Sequence, residues 1–260
     1  MSQISTSEII KNIQERVAKT NKEASEKAKI RRAFERYEIF IRCRELAMQR
    51  NERMYIRAFS DIMFCDTVME ILRIFQMDER GSRLVTRNKF QNTLIETGTD
   101  FDLLSSSRIV LENLNLKQAV GEGTVNSVIK NIFETFIEEG NLSESGGIVV
   151  ASKTMHFIMP ELFIMVDNRI MEKLHLVQDY VPSQNETWNE VLPDYKWEKL
   201  NLYQGTQNWS YHLNYAAALL YYKRIIREWC QKNHGNAKDF SKIDTRPNSE
   251  PSRVIDKALW

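Results

Sequence analysis

The chain has 260 residues, 42% hydrophobic and 27% charged, with a net charge of +1. That balance lies in the ordinary range for a soluble globular protein and supplies enough apolar mass for one large helical domain or two lobes around a cleft. Nine glycines and five prolines leave few breaks for a many-stranded fold, so an all-α class is expected.

No run reaches the roughly 20 apolar residues that span a bilayer, and the N-terminus, with Glu8, Lys11 and Glu15, lacks a secretory apolar core. A cytoplasmic protein without membrane contact is expected. Cys43, Cys65 and Cys230 are far apart and odd in number, which suggests neither a disulfide framework nor a C-x-x-C metal site; they read as buried or half-buried free thiols. The first 60 residues hold 14 Lys/Arg against 8 Asp/Glu. A basic N-terminal face follows, suited to a phosphate backbone or simply to water.

In chain order, Ser7 and Glu8 open a helix striped by Ile9, Ile10, Ile13 and Val17. Residues 20–29 are polar and alanine-rich and read as a loosely attached helix, so residues 1–29 form an N-terminal extension. A long amphipathic helix then carries Phe34, Tyr37, Ile41 and Met48 on one face, with Arg31, Arg32, Arg36, Arg42 and Arg44 on the others. Residues 59–77 are apolar nearly all round and predict a buried central helix that Gly81 ends. Residues 88–107 look turn-rich, with Ser105 to Ser107 capping a short helix that holds Ile109, Val110 and Leu114. Residues 30–120 are grouped as one helical lobe and 121–260 as another.

Thr124 caps a strong helix bearing Val125, Val128, Ile129, Ile132, Phe133, Phe136 and Ile137, with Gly140 as its C′ residue. Gly146 and Gly147 turn the chain into a second helix that Pro160 closes. Residues 182–209 read as irregular connection. A last long helix runs from about 211 to 231 and ends near His234-Gly235; a turn-like tail then leads to a short terminal helix.

Residues 146–170 hold the chemistry-bearing side chains. Gly147 to Thr154 reads G-x-x-x-x-S-K-T, with Ser152 where a phosphate-binding P-loop requires glycine, and the stretch follows a helix rather than a buried strand. That argues against a nucleotide-hydrolysing loop. The zinc-deaminase signature is also absent. Helix, glycine turn, helix over 124–158, then an apolar run into Val166-Asp167-Asn168-Arg169, resembles the helix-hairpin-helix superfamily of DNA glycosylases. In that family the second hairpin helix carries a lysine in lyase members, matched by Lys153. The family hairpin usually reads Leu-Pro-Gly-Val-Gly; here the aligned residues are Ile148, Val149, Val150 and Ala151, with the glycines at 146 and 147.

The resemblance implies a helix-hairpin-helix glycosylase-like bundle acting on double-stranded DNA, as a monomer and with neither cofactor nor metal. Asp167 would stabilise positive charge on the sugar as an extruded base departs, or orient the attacking water, and would also cap the helix after it. Lys153 would serve as Schiff-base nucleophile or as phosphate-holding cation. Gly146, Gly147, Ser152, Asn168 and Arg169 would contact DNA, and His156 and Trp188 would line the base pocket. His156 among Met155, Phe157, Ile158 and Met159 also reads as a satisfied core histidine. Bacterial glycosylase-like proteins that excise hypermodified phage cytosines suggest a modified base and antiviral defence. The alternative is a helical DNA- or protein-binding module without catalysis.

Overall fold

The computed structural model describes residues 5–26, 28–75, 83–166, 170, 211–245 and 249–259. Among them are eleven α-helices. α1 is Thr6–Lys11, α2 Ile13–Glu26, α3 Ala28–Arg50, α4 Tyr55–Ser60, α5 Ile62–Ile74, α6 Arg87–Ser106, α7 Val125–Ile137, α8 Ile148–Ile158, α9 Tyr211–Asn233, α10 Ala237–Ser241 and α11 Pro251–Leu259. The only sheet among the described residues is the hairpin of β1, Ala119–Val120, and β2, Gly123–Thr124. The all-α expectation therefore holds. No described helix is long and apolar enough to cross a membrane.

α6 is the hub, although its sequence suggested turns. Its buried face, Phe90, Thr93, Leu94, Thr97, Gly98, Phe101 and Leu104, recurs at helical spacing, but Thr and Gly within it dilute the apolar pattern. Tertiary contacts override that weak propensity. The Phe101 ring centroid lies 5.4 Å from those of Tyr55 and Phe59, 5.9 Å from Phe163 and 6.1 Å from Phe136. Each such pair adds about 0.5–1.5 kcal/mol beyond area burial.

α6 also caps α4 at both ends. Asp102 accepts from the Tyr55 and Ile56 amides at 2.6 and 3.2 Å, and the Gln91 amide donates to the Phe59 and Ser60 carbonyls at 3.1 and 3.0 Å. The orphan groups of a six-residue helix are thus satisfied from its neighbour. Gly98 allows the approach, since a Cβ there would lie 2.8 Å from Ile56 Cα.

The expected central helix is two helices, because Asp61 breaks it and caps α5 by accepting from the Met63 amide at 2.9 Å. The expected short helix after 107 is a single 3₁₀ turn, Leu111–Asn113. Nor is α2 loosely attached. Thr20 donates to the Lys257 carbonyl at 2.8 Å and Asn21 to Asp244 at 3.0 Å, seating α2 against α11. Short polar side chains that made the sequence look solvated are partners for a buried helix end. α11 is itself buried along its whole length, with Lys257 paired to Asp244 and Asp256 accepting from Tyr222 at 2.9 Å.

α7 begins as expected, with a capping box between Thr124 and Ser127. Its C-cap is Glu138, so Gly140 lies one residue past the expected C′ position. α9 stops before His234, whose φ of 51° is the left-handed conformation of a helix stop. One hydrophobic cluster draws on helices from both sides of residue 120. Cys43 is exposed, Cys65 buried and Cys230 half-buried, all as free thiols; burial and then Asp66 push the Cys65 thiol up to about 12, which makes it inert.

Candidate active site

Gly146 and Gly147 form the turn that enters α8. Gly146 has φ of 65°, and a Cβ on it would meet the Ile137 carbonyl oxygen at 2.4 Å, so glycine is required at the closest approach to the end of α7. The Gly147 amide donates to that same carbonyl at 3.1 Å. The turn is pinned from outside by Val85 N–H to Leu142 O at 3.2 Å and Glu144 N–H to Arg83 O at 2.8 Å. Gly147 is exposed, caps α8 with no side-chain bond, and would find nothing within 4 Å of an added Cβ. The expected helix, glycine turn, helix is therefore present.

Beyond α8 the chain runs non-helical through Phe163, Ile164, Met165 and Val166, all buried. Buried backbone without a neighbouring strand must find other hydrogen-bond partners. Three side chains supply them. His156 Nδ1 lies 2.8 Å from the Phe163 carbonyl. The Tyr215 hydroxyl accepts from the Ile164 amide at 3.2 Å and donates to its carbonyl at 3.0 Å. The Ser152 hydroxyl accepts from the Val166 amide at 3.0 Å and lies 3.2 Å from its carbonyl. Ser152, His156 and Tyr215 thus act as a substitute strand, and their last contact falls on the residue before Asp167.

The His156 tautomer follows from its partners. A carbonyl only accepts, so Nδ1 carries the proton, and Nε2 accepts from the Tyr37 hydroxyl at 2.9 Å. Burial first, and then the Arg253 guanidinium, depress its pKa to about 3. Arg253 itself lies 4.8 Å from the Tyr37 ring centroid. His156 is therefore a neutral structural group, the core-histidine alternative rather than a base-pocket residue.

Ser152 is corrected as well. Its hydroxyl is fully buried and engaged, which turns it away from any DNA phosphate. Lys153 is only 9% exposed, with its ammonium 5.8 Å from the Phe75 ring centroid. Asp167, Asn168, Arg169 and Trp188 lie outside the described residues, as does the expected irregular connection 182–209. Val166 before that triplet and Ile170 after it are both buried.

Arg44, expected on a solvated face of α3, turns inward. Its Nε donates to the Ile158 carbonyl at 2.7 Å, and its guanidinium pairs with Glu161 at 3.2 Å. It therefore caps the C-terminus of α8, where the helix dipole favours a cation. Arg36 and Arg42 stay exposed. Tyr215 was missed as a site residue because a tyrosine in an apolar helical stripe carries no mark of the backbone it serves. Comparison with known proteins finds no matching family model, curated relative or solved structure.

Proposed function

We propose that the chain is a DNA glycosylase that hydrolyses the N-glycosidic bond of a modified base turned out of duplex DNA, with Asp167 as the carboxylate at the reacting carbon. The observation that carries this is the clamp of Ser152, His156 and Tyr215. It commits three buried polar side chains to fixing the backbone that leads directly into Asp167. Positioning of that kind is what a group acting on a developing charge requires.

In the reaction, water oxygen bonds to C1′ as the C1′–N bond breaks. Asp167 stabilises the oxocarbenium-like charge and takes a proton from the water, and the base departs with the bonding pair and is then protonated. Only water is consumed. The pinned turn at Gly146 and the exposed Gly147, which precedes α8, suits a DNA phosphate. The near-burial of Lys153 favours a partly desolvated amine over a surface phosphate contact.

Analogy with glycosylase-like bacterial proteins that excise hypermodified phage cytosines, which rests on no residue of this chain, makes such a base the first substrate to try, and antiviral defence the setting. Incubation with unmodified, uracil-containing, oxidised, alkylated and phage-modified duplexes, followed by alkali, tests this. Strand breaks at one member are expected; intact strands throughout overturn the proposal. Borohydride reduction during turnover links Lys153 to the DNA only if it forms a Schiff base.

A second reading, a helical binding module without catalysis, is favoured by one observation. α8 spends Ser152 and His156 on internal bonds. Under that reading Asp167→Asn changes neither DNA affinity nor any product.

A further inference from the structure

A groove of about 630 Å³ lies between α9 and residues 113–116. Its helix wall presents Lys223 and Arg227 one turn apart, with Arg224 beside them. Its other wall is the end of the 3₁₀ turn, with Asn113, and the loop after it, with Asn115.

The groove is rich in donors and poor in acceptors. Lys223 is anchored by donating to the Leu114 carbonyl, which occupies that oxygen. Asn113 Oδ1 accepts from the Val110 amide at 3.1 Å and Asn115 Oδ1 from the Lys117 amide at 3.1 Å, so each side chain's NH₂ is what remains for a ligand. The one carboxylate among the lining residues, Glu228, accepts from Arg224 at 2.6 Å. Three cations against one anion leave an excess positive charge. Burial, and next the neighbouring Arg227, hold the Lys223 ammonium below the usual lysine range, a repulsion that a bound anion relieves.

We propose that this groove binds a phosphate group through Lys223, Arg227 and the side-chain amides of Asn113 and Asn115. Planar and point cations beside fixed amide donors match phosphate oxygens better than a carboxylic acid buried among apolar groups. Two sources share this chemistry, the phosphodiester backbone of a nucleic acid and a free phosphate or nucleotide. The inference does not depend on glycosidic hydrolysis, because it concerns affinity alone.

The test uses the full chain and two variants. Arg227→Glu reverses an exposed charge, and Lys223→Met keeps the aliphatic stem while removing the cation. Binding of a short labelled duplex is measured over a salt series, and binding of inorganic pyrophosphate by calorimetry. If the source is a nucleic-acid backbone, Arg227→Glu weakens duplex binding tenfold or more and lowers the slope of log affinity against log salt by about 1. If the source is a free phosphate, pyrophosphate binding is lost in both variants while duplex binding is unchanged. Overturning results are wild-type protein that binds neither probe, or variants that bind both as the wild type does. Base release that persists in Arg227→Glu at saturating DNA separates failure here from failure of the glycosylase proposal.

Discussion

Acidification attacks the clamp at His156, and the size of the effect follows from its surroundings. The neutral ring donates from Nδ1 to Phe163 O and accepts at Nε2 from Tyr37. A second proton would remove the acceptor and place a cation in the core with Arg253 and Arg44. The folded-state pKa of about 3 lies below the ordinary 6.5, so the folded chain stays neutral while the unfolded chain takes up a proton. Stability is unaffected above pH 6.5 and is lost progressively as pH falls from there toward 3. At pH 5 the loss is about 2 kcal/mol, from about 1.4 kcal/mol per pH unit. For a chain of this size that lowers Tm by about 4–8 °C. Thermal unfolding of wild type and His156→Leu between pH 7.5 and 5 provides the assay. The variant is less stable at neutral pH, having left Phe163 O and Tyr37 unpaired, but its Tm falls less on acidification. Equal pH slopes for the two proteins would refute the assignment of a neutral buried histidine.

Four further outcomes are expected. Ser152→Ala lowers stability by about 1–3 kcal/mol in urea titration by leaving the Val166 amide and carbonyl unpaired, and a loss under 0.5 kcal/mol would contradict the clamp. Gly146→Ala destabilises more than Gly147→Ala, because the first drives a methyl into the Ile137 carbonyl and the second meets open space; the order of denaturation midpoints decides. Gly98→Ala costs about 1–3 kcal/mol by forcing α4 off α6, read in the same titration. Asp244→Asn removes the anion paired with the buried Lys257 and costs about 3–5 kcal/mol in the same titration; a loss under 1 kcal/mol would contradict the pair's role.

Elements whose apolar spacing and caps agree were legible in the sequence. Thr124 before a dense apolar stripe, and His234-Gly235 after one, mark helix ends that the structure keeps. Where local chemistry and tertiary partners disagree, pattern reading failed. α6 is dilute in apolar residues yet central, because Asp102, Gln91 and Gly98 are there to serve α4, and sequence spacing does not show a neighbour's needs. Residues 20 and 21 looked solvated for the same reason, since their partners, Lys257 and Asp244, lie far away in the chain.

The glycine turn and α8 stand where the residues pointed, but the roles of the polar side chains on α8 were not legible. Ser152 and His156 looked like ligand contacts because polar groups on an apolar helix have two uses, binding something external or satisfying buried backbone. Only the path of residues 163–166 distinguishes them. Tyr215 completes the set from α9, about 50 positions away along the chain, and no local signal announces it.

The most direct test is single-turnover base release from the duplex that proves to be cleaved, measured for wild type, Asp167→Asn and Ser152→Ala at saturating protein. A loss of about 10²–10⁴-fold is expected for Asp167→Asn with duplex affinity unchanged, and a smaller loss for Ser152→Ala, which loosens the backbone before the carboxylate. Base release at the wild-type rate in Asp167→Asn would contradict the assignment of that carboxylate to the chemistry.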